Sequence, residues 1–403
     1  MAPIKTIEYF RVKPRWLFVK IADAEGHVGW GEATLEGHTQ AVEGTLLGYI
    51  DRFLGLEADD IEEIWQQAWR KSFYRGGPVF MSALAGIDIA LWDLKARKLG
   101  VPIHQLLGGK VRQKVQVYAW IGGDRPSSVA EAGKERLAQG FRAVKMNATE
   151  DVGWLDSPSR LDSAVERVKT VKSLGLDVAV DFHGRIHKAM AKQLARKLEG
   201  CDVLFLEEPL LSEHPEGIKQ LSNLTSSPIA LGERLYSRWD FKRFFEDASV
   251  DIIQPDISHC GGISEIRRIA SMAETYDGEQ FLTPRSMKTS HAYKITAVAI
   301  APHCPLGPIA LAACLQIGLC TPNHMIQEMS VGIHYNVQAG EHDIHSYVLN
   351  PEVFKVKDGY LDALTGPGLG IEVDEEAVRR VAENTEPWPL QGFVGVDGAL
   401  REW

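Results

Sequence analysis

The stretch Val-Ala-Val-Asp-Phe-His-Gly-Arg, at residues 178–185, carries the pattern that decides the fold. Its first three residues are apolar, which is typical of a strand that is covered on both faces. Asp181 and His183 are two positions apart, so on an extended chain their side chains point to the same side. This pair would suit a metal ligand beside a general acid or base. Taken alone, however, it favours a surface turn with a capping aspartate.

The same pattern recurs twice along the chain. The apolar run that starts at Val203 ends in Glu207, and the run that starts at Pro228 ends in Glu233. The three acids Asp181, Glu207 and Glu233 are spaced by 26 residues in both steps. One strand–helix–strand step takes roughly 30 residues or a little fewer, so the carboxylates are expected at one edge of a parallel sheet. Hard oxygen ligands suit Mg²⁺, and a cation would relieve their mutual repulsion.

An alternation of strands and helices runs from Lys114 to about residue 340 and contains eight such units. Eight units predict an α/β fold of the (β/α)₈ TIM-barrel type, whose active sites lie at the C-terminal ends of the strands. One cavity is therefore expected to be lined by the polar residues at the strand ends, which are Lys145, Asn147, Asp181, His183, Glu207, Glu233, Asp256, His303 and Glu328.

The residues outside the barrel predict a second module. Residues 4–34 alternate like an antiparallel meander, and three amphipathic helical patterns follow, which together indicate an α+β domain. The turn-rich end of the chain is expected to return to this module. We therefore predict an α+β capping domain at 1–113, the barrel at 114–340 and a C-terminal segment at 341–403 that completes the cap. The glycine-rich loop at 73–78 either ends a helix or contacts a substrate through Tyr74 and Arg75.

One interval in the barrel is too long. Asp256 and His303 are separated by 47 residues, and removal of 20 residues would restore the usual step. The surplus is most naturally 278–297, which has no clean period of 2 or 3.6. We predict a looped-out insertion at the bottom of the barrel, away from the site, and a translated intron is one hypothesis for its origin.

Charge and composition narrow the possible partners. The net charge of −10 argues against nucleic acid or an anionic membrane surface as a partner. The start of the chain lacks an apolar signal core, and the longest apolar run contains three prolines, so a membrane span is not expected. Five cysteines without a CxxC pair indicate reduced thiols in a cytoplasmic protein.

Two histidines among the predicted strand ends suggest proton transfer. Asp256 and His303 end adjacent strands, so the carboxylate can orient the imidazole and raise its basicity. His183 and His303 would then flank a metal site, one taking a proton and the other donating one. A proton next to a carboxylate is very weakly acidic, and a divalent metal on that carboxylate can stabilise the resulting enediolate. A hydroxyl on the β-carbon could then leave as water.

The chain resembles the enolase superfamily in its mandelate racemase-like branch. The resemblance covers nearly the whole chain outside 278–297 and is carried by FYRGGP at 73–78, IGGDRP at 121–126, DFHGR at 181–185, EEP at 207–209, GER at 232–234, QPD at 254–256, APHCPLGP at 301–308 and GIHYN at 332–336.

The resemblance implies an activity and a role for each residue. Mg²⁺ would be bound by Asp181, Glu207 and Glu233. His303, paired with Asp256, would remove the C2 proton of a sugar acid. The remaining implied roles are those of His183, as the acid that assists loss of the 3-hydroxyl, and of Glu328, as the group that stabilises the intermediate. Besides these, we predict that Lys145, Asn147, Tyr74 and Arg75 contact the substrate.

The implied reaction is dehydration of an aldonate, D-galactonate first, to a 2-keto-3-deoxy sugar acid by a homo-oligomeric enzyme. Three alternatives stay open. The substrate could be another aldonate, the reaction could be epimerisation, or the barrel could be catalytically silent because the segment 278–297 disrupts it.

Overall fold

A computed structural model describes residues 2–71, 73–123, 128–276, 297–338, 340, 342–389, 392–395 and 397–402. The predicted segment 278–297 therefore lies outside the described residues, except for its last residue. Within the described ranges, no helix is both long and apolar enough to cross a bilayer.

The N-terminal module is a three-stranded antiparallel meander covered by helices. Its strands are β1 (Ile4–Val12), β2 (Trp16–Asp23) and β3 (Val28–Glu32), and its helices are α1 (Thr39–Phe53), α2 (Ile61–Arg70), α3 (Pro78–Lys98) and the short α4 (Ile103–Leu106). Helix α3 lies so close to β3 that a Cβ added to Gly31 would sit 2.0 Å from the backbone oxygen of Gly86. Glycine in β3 therefore permits the helix to pack directly on the strand.

The barrel strands are all parallel neighbours. They are β4 (Lys114–Ile121), β5 (Ala143–Asn147), β6 (Asp177–Asp181), β7 (Leu206–Glu207), β8 (Ile229–Leu231), β9 (Ile252–Ile253), β10 (Ala299–Ile300) and β11 (Gln327–Met329). The sheet closes on itself because β11 pairs with β4 and Ile300 exchanges backbone hydrogen bonds with Asn323 and Met325. The expected eight-stranded barrel is confirmed.

Helices follow most barrel strands on the outside. They are α5 (Val129–Ala138), α6 (Asp162–Ser173), α7 (Lys188–Glu199), α8 (Pro215–Ser222), α9 (Arg238–Glu246), α10 (Gly262–Ala273) and α11 (Pro308–Cys320). The sequence pattern did not predict α8, an eight-residue helix in a segment where only the strand ends stood out. Several strands are also shorter than predicted. For example, β7 covers only Leu206 and Glu207, so it ends where predicted but starts three residues later than the apolar run from Val203 suggested.

The C-terminal segment contains more regular structure than its turn-rich composition suggested. Just before it lies α12 (His334–Gln338). Its own elements are a 3₁₀ turn at Pro351–Phe354, β12 (Tyr360–Asp362), α13 (Glu375–Ala382), β13 (Phe393–Val394) and β14 (Leu400–Arg401); a further 3₁₀ turn, at Pro158–Leu161, precedes α6 in the barrel. Strand β12 pairs antiparallel with β4. Helix α13 returns to the meander, where Lys20 Nζ lies 2.6 Å from Glu375 and Arg379 Nη2 lies 3.0 Å from Glu8.

The N-terminal module covers the C-terminal ends of the barrel strands. The buried carboxylate of Glu32 accepts hydrogen bonds from the backbone nitrogens of Gly307 (2.8 Å) and Ala310 (2.9 Å), at the start of α11. Asp88, in α3, accepts from the backbone nitrogen of Ser264 in α10 at 3.0 Å. Both helices begin at the top of the barrel, because each follows the C-terminal end of a strand. Carboxylates at helix N-termini thus hold the cap on that rim.

The described residues on either side of 277–296 lie together. The backbone nitrogen of Val298 donates to the carbonyl oxygen of Tyr276 at 3.0 Å. This point precedes β10, at the end of the barrel opposite the strand ends that carry the predicted site. The two described residues that border 277–296 are therefore adjacent, and the insertion itself stays a prediction.

We predict that deletion of 278–297, with Asp277 kept as the joint, preserves the fold. Closing a shorter loop costs less entropy, so the unfolding free energy should stay the same or rise by roughly 1–2 kcal/mol at most. The melting temperature should accordingly stay the same or rise. Thermal unfolding followed by circular dichroism measures this. A variant with a Gly/Ser segment of equal length separates length from sequence. Insoluble or destabilised deletion protein would contradict the insertion hypothesis.

Candidate active site

Three carboxylates stand at the rim of adjacent strands. Asp181 ends β6 and lies beside Glu207, which ends β7, in the pairing register. Glu233 follows β8 after Gly232, where an added Cβ would lie 2.7 Å from the backbone nitrogen of Gln254. That close approach lets the chain carry Glu233 into the barrel mouth. Asp181 and Glu207 are almost completely buried.

Asp181, His183 and Glu233 form a compact group of potential metal ligands at this rim. Each offers one ligand atom, and these atoms all lie within 4.8 Å of one another. Asp181 Oδ2 and Glu233 Oε2 are buried and accept no well-aligned hydrogen bond from the described residues, although an imidazole nitrogen approaches each. Buried carboxylate oxygens without donors are costly, so the donor set fits a hard divalent cation.

Glu207 has different partners. Its two oxygens lie 2.6 Å from Lys145 Nζ and 2.6 Å from Gln254 Nε2. The structure therefore places Asp181 and Glu233 together with His183, whereas Glu207 sits beside them in contact with Lys145. Assignment of Glu207 as the third metal ligand stays a prediction.

Lys145 is the cation at the centre of this rim. Its ammonium is 3.0 Å from Glu328 Oε1 and 3.9 Å from Asp181 Oδ2, in addition to Glu207. Burial opposes its charge, but the carboxylates Glu207 and Glu328 outweigh burial and hold the pKa of Lys145 well above its usual value. Burial and the neighbouring carboxylates raise the pKa of Glu207 despite Lys145.

Three carboxylates thus face one ammonium, those of Asp181, Glu207 and Glu328, and Glu233 lies beside Asp181 in the same cluster. Burial disfavours the ionised form of Asp181, yet His183 and Lys145 hold its pKa well below the usual range. The surplus of negative charge in a buried site is what a divalent cation would offset.

Asp256 and His303 contact each other as predicted, and we call this pair the dyad. His303 Nδ1 lies 2.9 Å from Asp256 Oδ2, and His303 Nε2 lies 3.1 Å from Glu233 Oε2. Burial lowers the proton affinity of His303, but Glu233 and Asp256 outweigh it and raise the pKa of the imidazole well above its usual value. Asp256 therefore orients the ring through Nδ1 and leaves Nε2 facing the carboxylate cluster.

His183 contacts the other carboxylate of the cluster. Its Nε2 is 2.9 Å from Asp181 Oδ2, and its ring stacks on Trp120 at 5.6 Å between centroids. The backbone at His183 is left-handed, with φ of 50°, so the residue has already left the strand. The same-side argument from strand geometry was therefore wrong in its cause, although both side chains do reach the same cluster.

The other predicted contacts divide into two sets. Glu328 Oε2 accepts from the backbone nitrogen of Cys304 at 3.0 Å, next to His303, and Asn147 pairs in register with Asp181. Both belong to the rim. Tyr74 is 77% exposed, and Arg75 lies over the ring of Trp69 at 5.8 Å. Tyr74 and Arg75 thus lie exposed on the cap, with Arg75 against Trp69, and contact with substrate stays a prediction for both.

Sequence reasoning gave no role to several residues that build the site. Gln254 holds Glu207, and Arg234 pairs with Glu208 at 2.6 Å while donating to the carbonyl oxygen of His183. Arg234 thereby anchors the turn that presents His183. The sequence could have indicated them only by position, because Arg234 is adjacent to Glu233 and Gln254 is two residues before Asp256, within the motifs given above.

Family comparisons agree with this architecture. Residues 1–108 match the model of the mandelate racemase/muconate lactonizing enzyme N-terminal domain, and residues 128–377 match the enolase C-terminal domain-like model. The chain belongs to the enolase superfamily, in the mandelate racemase and muconate lactonizing branch.

Relatives with a named activity align along the whole chain. A D-galactonate dehydratase of Variovorax paradoxus is 43% identical and one of Pectobacterium atrosepticum is 44% identical, each over 99% of this chain and 100% of the relative. A crystal structure of an enolase from Agrobacterium radiobacter with bound sodium and L-malate is 28% identical, with a TM-score of 0.85 and complete coverage of both chains.

A more distant similarity is to the 3,6-anhydro-D-galactonate cycloisomerase from Zobellia galactanivorans. It is 26% identical with a TM-score of 0.78, and the match covers 94% of this chain and 99% of that one.

We predict that Mg²⁺ stabilises the protein against heat and that Asp181→Asn and Glu233→Gln weaken this effect at least tenfold in apparent affinity. A ligand at a hundredfold excess over its Kd adds about 2.7 kcal/mol to the unfolding free energy. Thermal shift across a Mg²⁺ titration measures it. Glu246→Gln, an exposed acid on α9, is the control. Equal Mg²⁺ responses in all four proteins would exclude this cluster as the metal site.

Proposed function

We propose that this chain is a Mg²⁺-dependent hydro-lyase that dehydrates a sugar acid, D-galactonate first, to 2-dehydro-3-deoxy-D-galactonate and water. The observation that carries the proposal is the pair of imidazoles on one carboxylate cluster. His303 contacts Glu233 and His183 contacts Asp181, so each imidazole meets a different carboxylate of the cluster. The full-length relatives named D-galactonate dehydratase support the choice of substrate.

The ligands we assign to Mg²⁺ are Asp181, Glu207 and Glu233. Asp181 and Glu233 already lie in the compact group with His183, and Glu207 pairs with Asp181 from the neighbouring strand. Mg²⁺ bound there would take up the negative charge that develops on the substrate carboxylate as the C2 proton leaves.

His303 is the base in this proposal. Its Nδ1 is occupied by Asp256, so Nε2 is the atom that would accept the C2 proton once Glu233, which now faces Nε2 and favours the imidazolium, binds the metal instead. The buried carboxylate also stabilises the imidazolium that forms. Because Asp256 is held on its other oxygen by the backbone nitrogen of Ser258 at 2.7 Å, the dyad keeps one orientation.

His183 is the acid. Stacking on Trp120 and the backbone contact from Arg234 hold its ring beside Asp181, where it can give a proton to the departing 3-hydroxyl. Glu328 is assigned to stabilisation of the intermediate, in a place set by Lys145 and the backbone of Cys304. We assign substrate contacts to Lys145 and Asn147 first, because both lie at the rim beside Asp181.

Assembly and location are part of the same proposal. We expect a homo-oligomer that works in the cytoplasm on a small aldonate. All five cysteines carry free thiols, four of them buried, which is in keeping with a reducing compartment.

The test of the function is a bank of aldonates and acid sugars assayed for 2-keto-3-deoxy products with Mg²⁺ and with chelator. We expect D-galactonate to be the best substrate and chelator to abolish turnover. A product that differs from the substrate only in C2 configuration would establish epimerisation instead. Metal-dependent stabilisation without turnover of any acid sugar would support a silent barrel.

The two histidine roles predict different losses. His303→Asn should abolish exchange of the C2 proton with solvent and lower kcat by about 10²–10⁴-fold, because the base is gone. His183→Asn should retain C2 exchange but lose dehydration, because only the leaving hydroxyl lacks its acid. Exchange in D₂O is followed by NMR. His38→Asn, an exposed histidine of the cap, serves as the control. Normal exchange in His303→Asn would refute the assignment.

A further inference from the structure

Asp256 has a third neighbour besides Ser258 and His303. His259, three residues further along the chain, places Nε2 at 3.7 Å from Asp256 Oδ2, the same oxygen that faces His303. Asp256 is completely buried and His259 nearly so. The reaction proposed above uses no proton from His259, so its burial next to the dyad needs another reason.

His259 connects the dyad to the capping domain. Its Nε2 also lies 3.5 Å from Glu36 Oε2, and its Nδ1 lies 3.3 Å from the hydroxyl of Ser82. Glu36 follows β3 and Ser82 lies in α3, so both belong to the N-terminal module. Burial opposes the imidazolium, but Asp256 and Glu36 outweigh burial and raise the pKa of His259. His259 Nε2 therefore lies between the two carboxylates, one from the cap and one from the barrel.

Arg15 completes the connection from the cap. Its Nη1 lies 3.5 Å from Glu36 Oε1, and its Nη2 donates to the carbonyl oxygen of Pro305 at 3.3 Å, two residues after His303. The guanidinium packs over the ring of Tyr335 at 4.2 Å, which fixes its plane. One arginine therefore contacts the His303 loop directly and, through Glu36, supports the residue that faces Asp256.

Both members of the dyad are thus attached to the cap rather than to the barrel alone. The strands β9 and β10 that carry Asp256 and His303 are only two residues long, and both side chains lie on the loops beyond them. Loops hold side chains less rigidly than strands do, and a small error in the placement of a base can cost about 10²-fold in rate.

We propose that Arg15, Glu36 and His259 are positioning residues for the dyad of Asp256 and His303, so that the capping domain aligns the base. This inference builds on the proposed function. It assigns no contact with substrate to the three residues. Their effect should therefore fall on the proton-abstraction step and leave metal binding unchanged.

The kinetic test compares Glu36→Gln and His259→Gln with Glu43→Gln. Glu43 pairs with Arg11 at 2.6 Å in the same module but has no link to the dyad, which makes it a matched control. We expect kcat to fall about 10- to 100-fold in the first two variants, with KM and Mg²⁺-dependent stabilisation within about threefold of the unmodified protein. The primary isotope effect for deuterium at C2 should rise, because proton abstraction becomes rate-limiting.

A second readout does not depend on turnover. The Nδ1 proton of His303, assigned by its absence in His303→Asn, should exchange with solvent faster in Glu36→Gln and His259→Gln than in Glu43→Gln, as measured by NMR of ¹⁵N-histidine protein. Arg15→Lys should restore part of the rate lost in Arg15→Met.

The outcomes separate the two proposals. An unmodified protein that turns over no aldonate would count against the proposed function, while the NMR comparison would still decide the positioning role. Unchanged exchange at Nδ1, or a raised KM with unchanged kcat, would overturn the positioning role; the second result would make Glu36 a substrate contact. A loss of activity that follows loss of folding, with an unchanged isotope effect, would overturn it as well.

Discussion

The gathering of four carboxylates at the barrel mouth is the constraint on which the rest of the site depends. Asp181, Glu207 and Glu328 lie beside Lys145, directly or at the limit of an ion pair, and Glu233 lies next to Asp181 and His303. Burial disfavours ionised carboxylates unless cations lie close to them. Lys145 and the imidazoles of His183 and His303 supply part of that compensation, and a divalent cation bound at the cluster would supply more.

The capping module supplies much of what the barrel lacks. Glu32 holds the start of α11, which follows the His303 loop, and Asp88 holds the start of α10, which follows the Asp256 loop. The two barrel helices nearest the dyad are thus capped by carboxylates from the other module. Very short barrel strands place Asp256 and His303 on the loops beyond them. In our proposal, the contacts with the cap give these loops the rigidity that longer strands would have provided.

Periodicity predicted the elements that have a strong local pattern. The meander, the long helix α3 and the eight strand positions follow from alternation and helical spacing, and the constant interval between Asp181, Glu207 and Glu233 predicted a shared rim. The helix α8 and the elements of the C-terminal segment were missed because they are short and because tertiary contacts, such as those of Lys20 and Glu8 with α13, stabilise them. Strand lengths were overestimated, since an apolar run continues past the last ladder hydrogen bond when the chain bends toward the mouth.

The sequence by itself determined the fold class, the residues that gather at the rim and the pairing of Asp256 with His303, because a repeated strand–helix step carries every strand end to the same side of the sheet. Only the tertiary structure decided which groups touch. It put His183 with Asp181 and Glu233, and turned Glu207 toward Lys145 and Gln254. It also brought Glu36 and Arg15 from the start of the chain to His259 and Pro305. Contacts between modules depend on how two independently patterned surfaces meet, and no local period in a sequence encodes that.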